Sequence, residues 1–188
     1  MKDVKGRILE TATRLFSKHG YRGIGVDAIA READVSKVTM YRYFESREVM
    51  IMEVLKARMQ AMEEGLKFAV AQKEAGWDRV RAIFRWYENW FGQPDFQGCI
   101  VVAALWEYKT DPTIVEMVAA QREMLFELIR ETLLDVVHPS VLDQLSRQLL
   151  FLLYGAIIFA QTGRQGAAAR DAWECASQLI DFVSQGRT

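Results

Sequence analysis

A chain of 188 residues that is 51% hydrophobic and 26% charged can bury a sizeable core, a composition ordinary for a soluble globular protein. The net charge of −1 conceals an asymmetry: residues 1 to 50 hold ten Lys/Arg against seven Asp/Glu, the rest 14 against 18, so the N-terminal end suits a polyanionic partner. Only two cysteines occur, Cys99 and Cys175, far apart and without nearby His, so neither a disulfide framework, a metal site nor a cofactor is expected.

Taken in chain order, Val4 to Gly20 reads as one helix, with Ile8, Leu9, Ala12, Leu15 and Phe16 on a single stripe and Gly20 as its stop. Val26, Ile29, Ala30 and Ala33 follow an i, i+3, i+4, i+7 pattern and give a short second helix. Only Asp34 to Ser36 separate it from a third, where Ser36 is a good N-cap and Val35 and Met40 are placed as a hydrophobic staple. Met40 and Phe44 fall on one face of that third helix. Val38, Thr39 and Arg42 fall on the other, flanked by Lys37, Tyr41 and Tyr43. A face of Arg, Thr and a small apolar group bordered by Lys and phenols suits base edges flanked by phosphates. By itself the same pattern also serves an ordinary solvated amphipathic helix. Two short helices joined by so brief a turn form a helix-turn-helix unit, whose second helix enters the major groove. A fourth helix starts after Glu45, with Ser46 as cap, Glu48 in its positive first turn, and Arg47 within reach of a backbone phosphate.

Residues 8 to 55 resemble the DNA-binding domain of the TetR/AcrR family of bacterial transcriptional regulators. The residues that carry the resemblance are Ile8 to Phe16, Gly20-Tyr21, Val26-x-x-Ile29-Ala30, Ala33, and Val35-Ser36-x-x-Thr39-Met40-Tyr41-x-Tyr43-Phe44-x-Ser46-Arg47-Glu48. It covers about a quarter of the chain. The resemblance implies phosphate contacts from Tyr41, Tyr43 and Arg47, with Lys37, Val38, Thr39 and Arg42 approaching bases or the adjoining backbone of a double-stranded operator. Three positions depart from the common pattern. Val38 stands where Gly is frequent, Arg47 replaces Lys, and Gly25 precedes helix two where Thr or Ser often caps it, leaving only the Gly25 backbone amide to meet a phosphate.

The remaining chain reads as helices throughout. Helix four is expected over Arg47–Gln72, with Ile51, Leu55, Met59, Met62 and Leu66 inward. A fifth spans about Ala75–Phe91, a sixth Gly98–Tyr108, and a seventh opens at Asp111-Pro112 and ends near Val136. His138-Pro139 opens an eighth, reaching Thr162, and a ninth occupies Ala168–Ser184. The expected fold is all-α, a three-helix helix-turn-helix domain over residues 1–46 and a larger helical effector-binding and dimerisation domain over 47–188.

Helix eight is apolar nearly all round, and a helix of that kind is buried on more than one side. The family pairs its last two helices with those of a second subunit, so Leu145, Leu149, Leu152, Leu153, Trp173 and Leu179 are candidates for a homodimer interface, against an intrachain core role. The family also encloses a small-molecule effector, and the candidates for its lining are Trp86, Trp90, Trp106, Phe126, Phe151 and Tyr154, although aromatic residues of this kind are more often ordinary core. Asn89, Glu107 and Gln121 are nearby polar groups that can orient a ligand.

Cys99 follows Gly98 at a helix start, where a thiol pKa can fall; the alternative is a small buried hydrophobe. The apolar run Leu149–Ala160 is too short to cross a bilayer, and Lys2, Asp3, Lys5 and Arg7 break up any leader, so no membrane partner and a cytoplasmic location are expected. No nucleophile–base pattern, phosphate-cradling glycine loop or metal-spaced cluster suggests an enzyme. The reading is a ligand-responsive, homodimeric repressor released from a palindromic operator by a largely apolar effector. Its alternatives are a helical protein-interaction module, or an activator or repressor without an effector.

Overall fold

In a computed structural model that describes residues 3–74, 76–163 and 165–184, the described chain forms nine α-helices and no strand. They are α1 (Val4–His19), α2 (Val26–Glu32), α3 (Lys37–Tyr43), α4 (Arg47–Ala71), α5 (Trp77–Phe91), α6 (Ile100–Glu107), α7 (Pro112–Leu133), α8 (Pro139–Gln161) and α9 (Gln165–Ser184). The chain divides into two compact units: Met1–Ala61 with Cys99–Ala119, and Met62–Gly98 with Ala120–Thr188. Helices α4 and α7 each run on from one unit into the other. The division differs from a boundary at residue 46, because α6 and the start of α7 group with the N-terminal helices.

In the first unit, local chemistry starts and stops the helices. Asp3 accepts from the Lys5 amide at the head of α1, and Gly20, at φ 71°, takes the left-handed turn that ends it. The buried stripe of α1 is Ile8, Thr11, Ala12, Leu15 and Phe16. It faces a core that also holds Tyr21, Ile29, Met40, Phe44, Met50, Ile51, Val54 and Leu55. The turn between α2 and α3 contains Asp34 at φ 52°, a left-handed conformation that short polar side chains tolerate best after glycine. Arg7 donates to the Asp34 carbonyl at 3.3 Å, and Arg14 pairs with Glu32 at 2.9 Å, so α1 holds both α2 and the turn that follows it.

The second unit is built on α9, which packs against both α8 and α5. Pro139 sits in the first turn of α8, and the His138 ring accepts from the Ser140 amide to cap it. Ala168, Ala169, Ala172, Ala176 and Ile180 of α9 are buried, as are Leu142, Leu145, Leu149, Leu150, Leu153, Ala156, Ile157 and Ala160 of α8. Arg170 reaches from α9 to Glu88 of α5 at 3.0 Å, and Trp173 packs its ring 5.5 Å from Phe84 with the Arg81 guanidinium 5.7 Å from the same ring. Helix α8 has the length and apolar content of a membrane span, but its buried stripe is occupied by the core of this unit. The expected start of α5 at Ala75 lies outside the described residues; α5 is described from Trp77.

Candidate nucleic-acid interface

The third helix is seven residues long, too short to be stable alone, and is held by its inner face and its cap. Met40 and Phe44 are buried, and Ser36 Oγ accepts from the Thr39 amide at 3.0 Å while sharing a hydrogen bond with the Thr39 hydroxyl at 2.9 Å. With that side fixed, Lys37, Val38, Tyr41, Arg42 and Tyr43 all point to solvent. Val38 is 74% exposed and Tyr41 48% exposed. Water gives the bare valine no favourable partner, whereas a thymine methyl does, and the two phenol hydroxyls are placed to donate to phosphate oxygens. Thr39 is half-buried behind them, and Gly25, at the head of α2, is exposed with no side-chain cap.

Lys37 is not a free cation. Its ammonium lies 2.8 Å from an Asp27 carboxylate oxygen on α2, and the hydrogen bond and charge of Asp27 raise its pKa above the usual lysine value. A phosphate approaching Lys37 must compete with that carboxylate.

Arg47 is placed differently from the other proposed phosphate contacts. Its guanidinium turns inward, donating to the carbonyls of Tyr21 and of Ile24 (the latter at 3.1 Å) and to the Tyr108 hydroxyl at 3.3 Å. Three of its five N–H donors are thereby engaged by the turn between α1 and α2 and by Tyr108 at the end of α6. The same turn is gripped from the other side by Glu107, whose two carboxylate oxygens accept from the amides of Tyr21 and Arg22, each at 2.9 Å. Sequence reasoning noted Glu107 only as a polar neighbour for a ligand. Its partners are more than 80 residues away in sequence, and no local pattern signals them.

The aromatic residues nominated for an effector do not gather in one place. Trp86 and Trp90 are half-buried on α5 of the second unit, 5.8 Å apart, in a ring cluster with Tyr87, Phe91 and Phe96. Phe126 on α7 and Tyr154 on α8 are half-buried in the same unit. Trp106, 72% exposed, belongs to the first unit, and Phe151, 69% exposed, faces outward on α8. Neither lines an interior. In the second unit, the Gln121 side-chain amide nitrogen is buried without a hydrogen-bond partner.

The candidate interface residues divide in the same way. Leu145, Leu149 and Leu153 are fully buried in the second unit, so these three are taken up by its own core, whereas Trp173 is half-buried and packs on Phe84 and Arg81. Leu152 and Leu179 are half-buried. The outward face carries instead Phe151, Gly155 and Phe159, with Ala168, Asp171, Ala172 and Cys175 of α9 across a groove of about 270 Å³. Cys99 is buried, and burial pushes its thiol pKa up, which fits a small hydrophobe rather than a reactive thiol.

Residues 8–54 match the family model "Bacterial regulatory proteins, tetR family". The chain is 28% identical over 133 residues to the HTH-type transcriptional activator FasR of Mycolicibacterium smegmatis, covering 71% of this chain and 58% of that protein. It is 34% identical over 89 residues to the HTH-type transcriptional regulator EthR of the same organism, covering 47% of this chain and 40% of EthR. These matches therefore span less than two thirds of either relative. Among solved structures, SCO4454, a TetR-family transcriptional regulator from Streptomyces coelicolor, superposes with a TM-score of 0.90 at 25% identity over 96% of each chain.

Proposed function

We propose that this chain, which belongs to the TetR family of bacterial regulatory proteins, is a cytoplasmic repressor that reads duplex DNA as a homodimer and is released by a small effector. The observation that carries the DNA reading is the outward row of Lys37, Val38, Tyr41, Arg42 and Tyr43 on a buried and capped α3. Val38 and Arg42, with Thr39 behind them, are assigned to base edges; Lys37, Tyr41, Tyr43 and the Gly25 amide are assigned to phosphates. Two copies related by a twofold axis would present their third helices to successive major grooves roughly 34–36 Å apart, which calls for a palindromic site. The dimer surface is assigned to the exposed face of α8 and α9.

For the effector, the half-buried rings Trp86, Trp90, Phe126 and Tyr154 favour an apolar or aromatic molecule. The unpartnered Gln121 nitrogen favours one that also carries a hydrogen-bond acceptor. If the effector prefers a dimer arrangement that DNA does not, each ligand weakens the other by the same factor. A second reading, activation rather than repression, is favoured by the name of the FasR relative, and the sign of the transcriptional response separates the two.

The test is selection of bound sequences from random duplex DNA with the purified chain, followed by titration against salt. A palindrome, and an affinity that falls steeply as salt rises, are expected. Tyr41→Ala and Arg42→Ala should each weaken binding without unfolding the protein. Absence of any duplex preference at low salt would end this reading.

A further inference from the structure

We infer that Glu107 and Arg47 are positioning residues for DNA reading: together they clamp the turn between α1 and α2 and set how α2 and α3 are presented. The inference rests on the reading of the first unit as a duplex reader. The turn from Gly20 to Gly25 carries the chain from α1 into the helix-turn-helix, and its polar backbone groups are claimed from two directions. Glu107, the last residue of α6, takes the amides of Tyr21 and Arg22; Arg47, the first residue of α4, takes the carbonyls of Tyr21 and Ile24. A carboxylate on two successive amides and a guanidinium on two nearby carbonyls are charge-assisted and directional, stronger than neutral pairs.

The seat is close-fitting. A Cβ at Gly20 would lie 2.9 Å from Glu107 Oε1, and Gly20 has φ 71°, so both backbone shape and the carboxylate require glycine there. Further bonds tie α6 to the turn at both ends. The buried Tyr21 hydroxyl donates to the Ile100 carbonyl at the start of α6 at 2.9 Å, and Arg22 donates to the Glu107 carbonyl at 3.1 Å. The Tyr108 hydroxyl, just past α6, accepts from Arg47 at 3.3 Å. A displacement of α6 must therefore either drag the turn or break several bonds at once.

Glu107→Gln removes a negative charge from a DNA-binding unit. Electrostatics alone predicts tighter binding; the clamp predicts weaker binding, because an amide NH₂ would face a backbone N–H. Affinity for the selected duplex should fall about tenfold or more. The dependence on salt should stay unchanged, since no phosphate contact is lost. Hydrogen exchange at the Tyr21 and Arg22 amides should quicken, whereas a general loosening would spread over α1 and α2. Arg47→Met should likewise weaken binding with the salt slope intact; a slope flatter by about 0.9 per DNA-binding unit would show a phosphate contact instead and overturn the assignment.

Should Glu107→Gln not fold, Tyr21→Phe decides the matter. It keeps the buried ring, loses only the bond to Ile100, and should weaken binding several-fold. Wild-type binding with Glu107→Gln, or in its absence Tyr21→Phe, as tight as wild type or tighter overturns the inference alone. A wild type that binds no duplex overturns the reading beneath it.

Discussion

Truncating Phe151 to Ala should dissociate the proposed dimer while leaving each subunit folded. Phe151, Gly155 and Phe159 recur every fourth residue on one face of α8, so they form a single outward row. Phe151 is 69% and Phe159 60% exposed, and a Cβ at Gly155 would meet nothing within 4 Å. Large rings thus flank a small floor, a shape that a twofold-related copy can fill with the same residues. Burying a whole Phe side chain contributes about 1.5–3 kcal/mol, and the exposed share of Phe151 scales this to about 1–2 kcal/mol. Symmetry uses the ring twice, so Phe151→Ala should remove roughly 2–4 kcal/mol of association free energy, raising the dimer Kd roughly 30- to 1000-fold. Sedimentation or light scattering across a dilution series measures this directly. Leu145→Ala is the control: Leu145 is buried within its own unit, so it should lower folding stability by about 2–5 kcal/mol with little change in the dimer constant of the folded protein. A wild-type dimer whose Kd is unmoved by Phe151→Ala would refute the assignment of this face.

Other consequences follow from the same geometry. Asp27→Asn frees Lys37 from a 2.8 Å ion pair and should tighten duplex binding several-fold, steepening the salt slope by about 0.9 per DNA-binding unit; the gain should vanish when Lys37 is Ala, and a gain that persists would mean that Asp27 acts elsewhere. Gly65→Ala, although alanine favours a helix interior by about 1 kcal/mol, would place Cβ 2.7 Å from Trp86 Nε1 and 3.2 Å from Cε2 of a rigid indole. Net destabilisation of about 1–2 kcal/mol and a Tm fall of about 3–6 °C are expected, and a rise in Tm would contradict the packing. Cys175 is exposed in the α8–α9 groove and Cys99 is buried, so a thiol reagent should label Cys175 first in dilute protein and more slowly as concentration forms the dimer. Labelling independent of concentration would place Cys175 outside the interface.

What could be read from the sequence was what neighbouring residues settle among themselves. The Ser36 cap of α3, the Ser46 cap of α4, the Asp111-Pro112 start of α7 and the His138-Pro139 start of α8 all depend on groups within a few residues, and each forms as expected. The inward stripe of α4 was largely legible for the same reason: Ile51, Leu55, Met62 and Leu66 are buried, while Met59 is only half-buried and Met50 and Val54 join them. Periodicity fails where a helix is apolar on several sides. The pattern of α8 holds two candidate stripes, and nothing within it says that Leu145, Leu149 and Leu153 are buried while Phe151 and Phe159 face out. The intrachain partners of Arg47 were hidden for a different reason. Its charge and its place at a helix start suit a phosphate, and only the fold brings Tyr21, Ile24 and Tyr108 to its guanidinium.

The arrangement separates two properties that a DNA-reading helix would otherwise confound. The side chains that would meet base edges, Val38 and Arg42, make no hydrogen bond among those that hold the turn between α1 and α2. The groups that hold it, Glu107, Arg47 and Tyr21, lie off α3. Substitutions on the outer face of α3 should then change which duplex is preferred. Substitutions in the clamp should weaken all duplexes by a common factor, because they alter presentation rather than readout. An α3 of only seven residues makes this separation useful: so short a helix has little orientation of its own, and the elements that carry it must supply one.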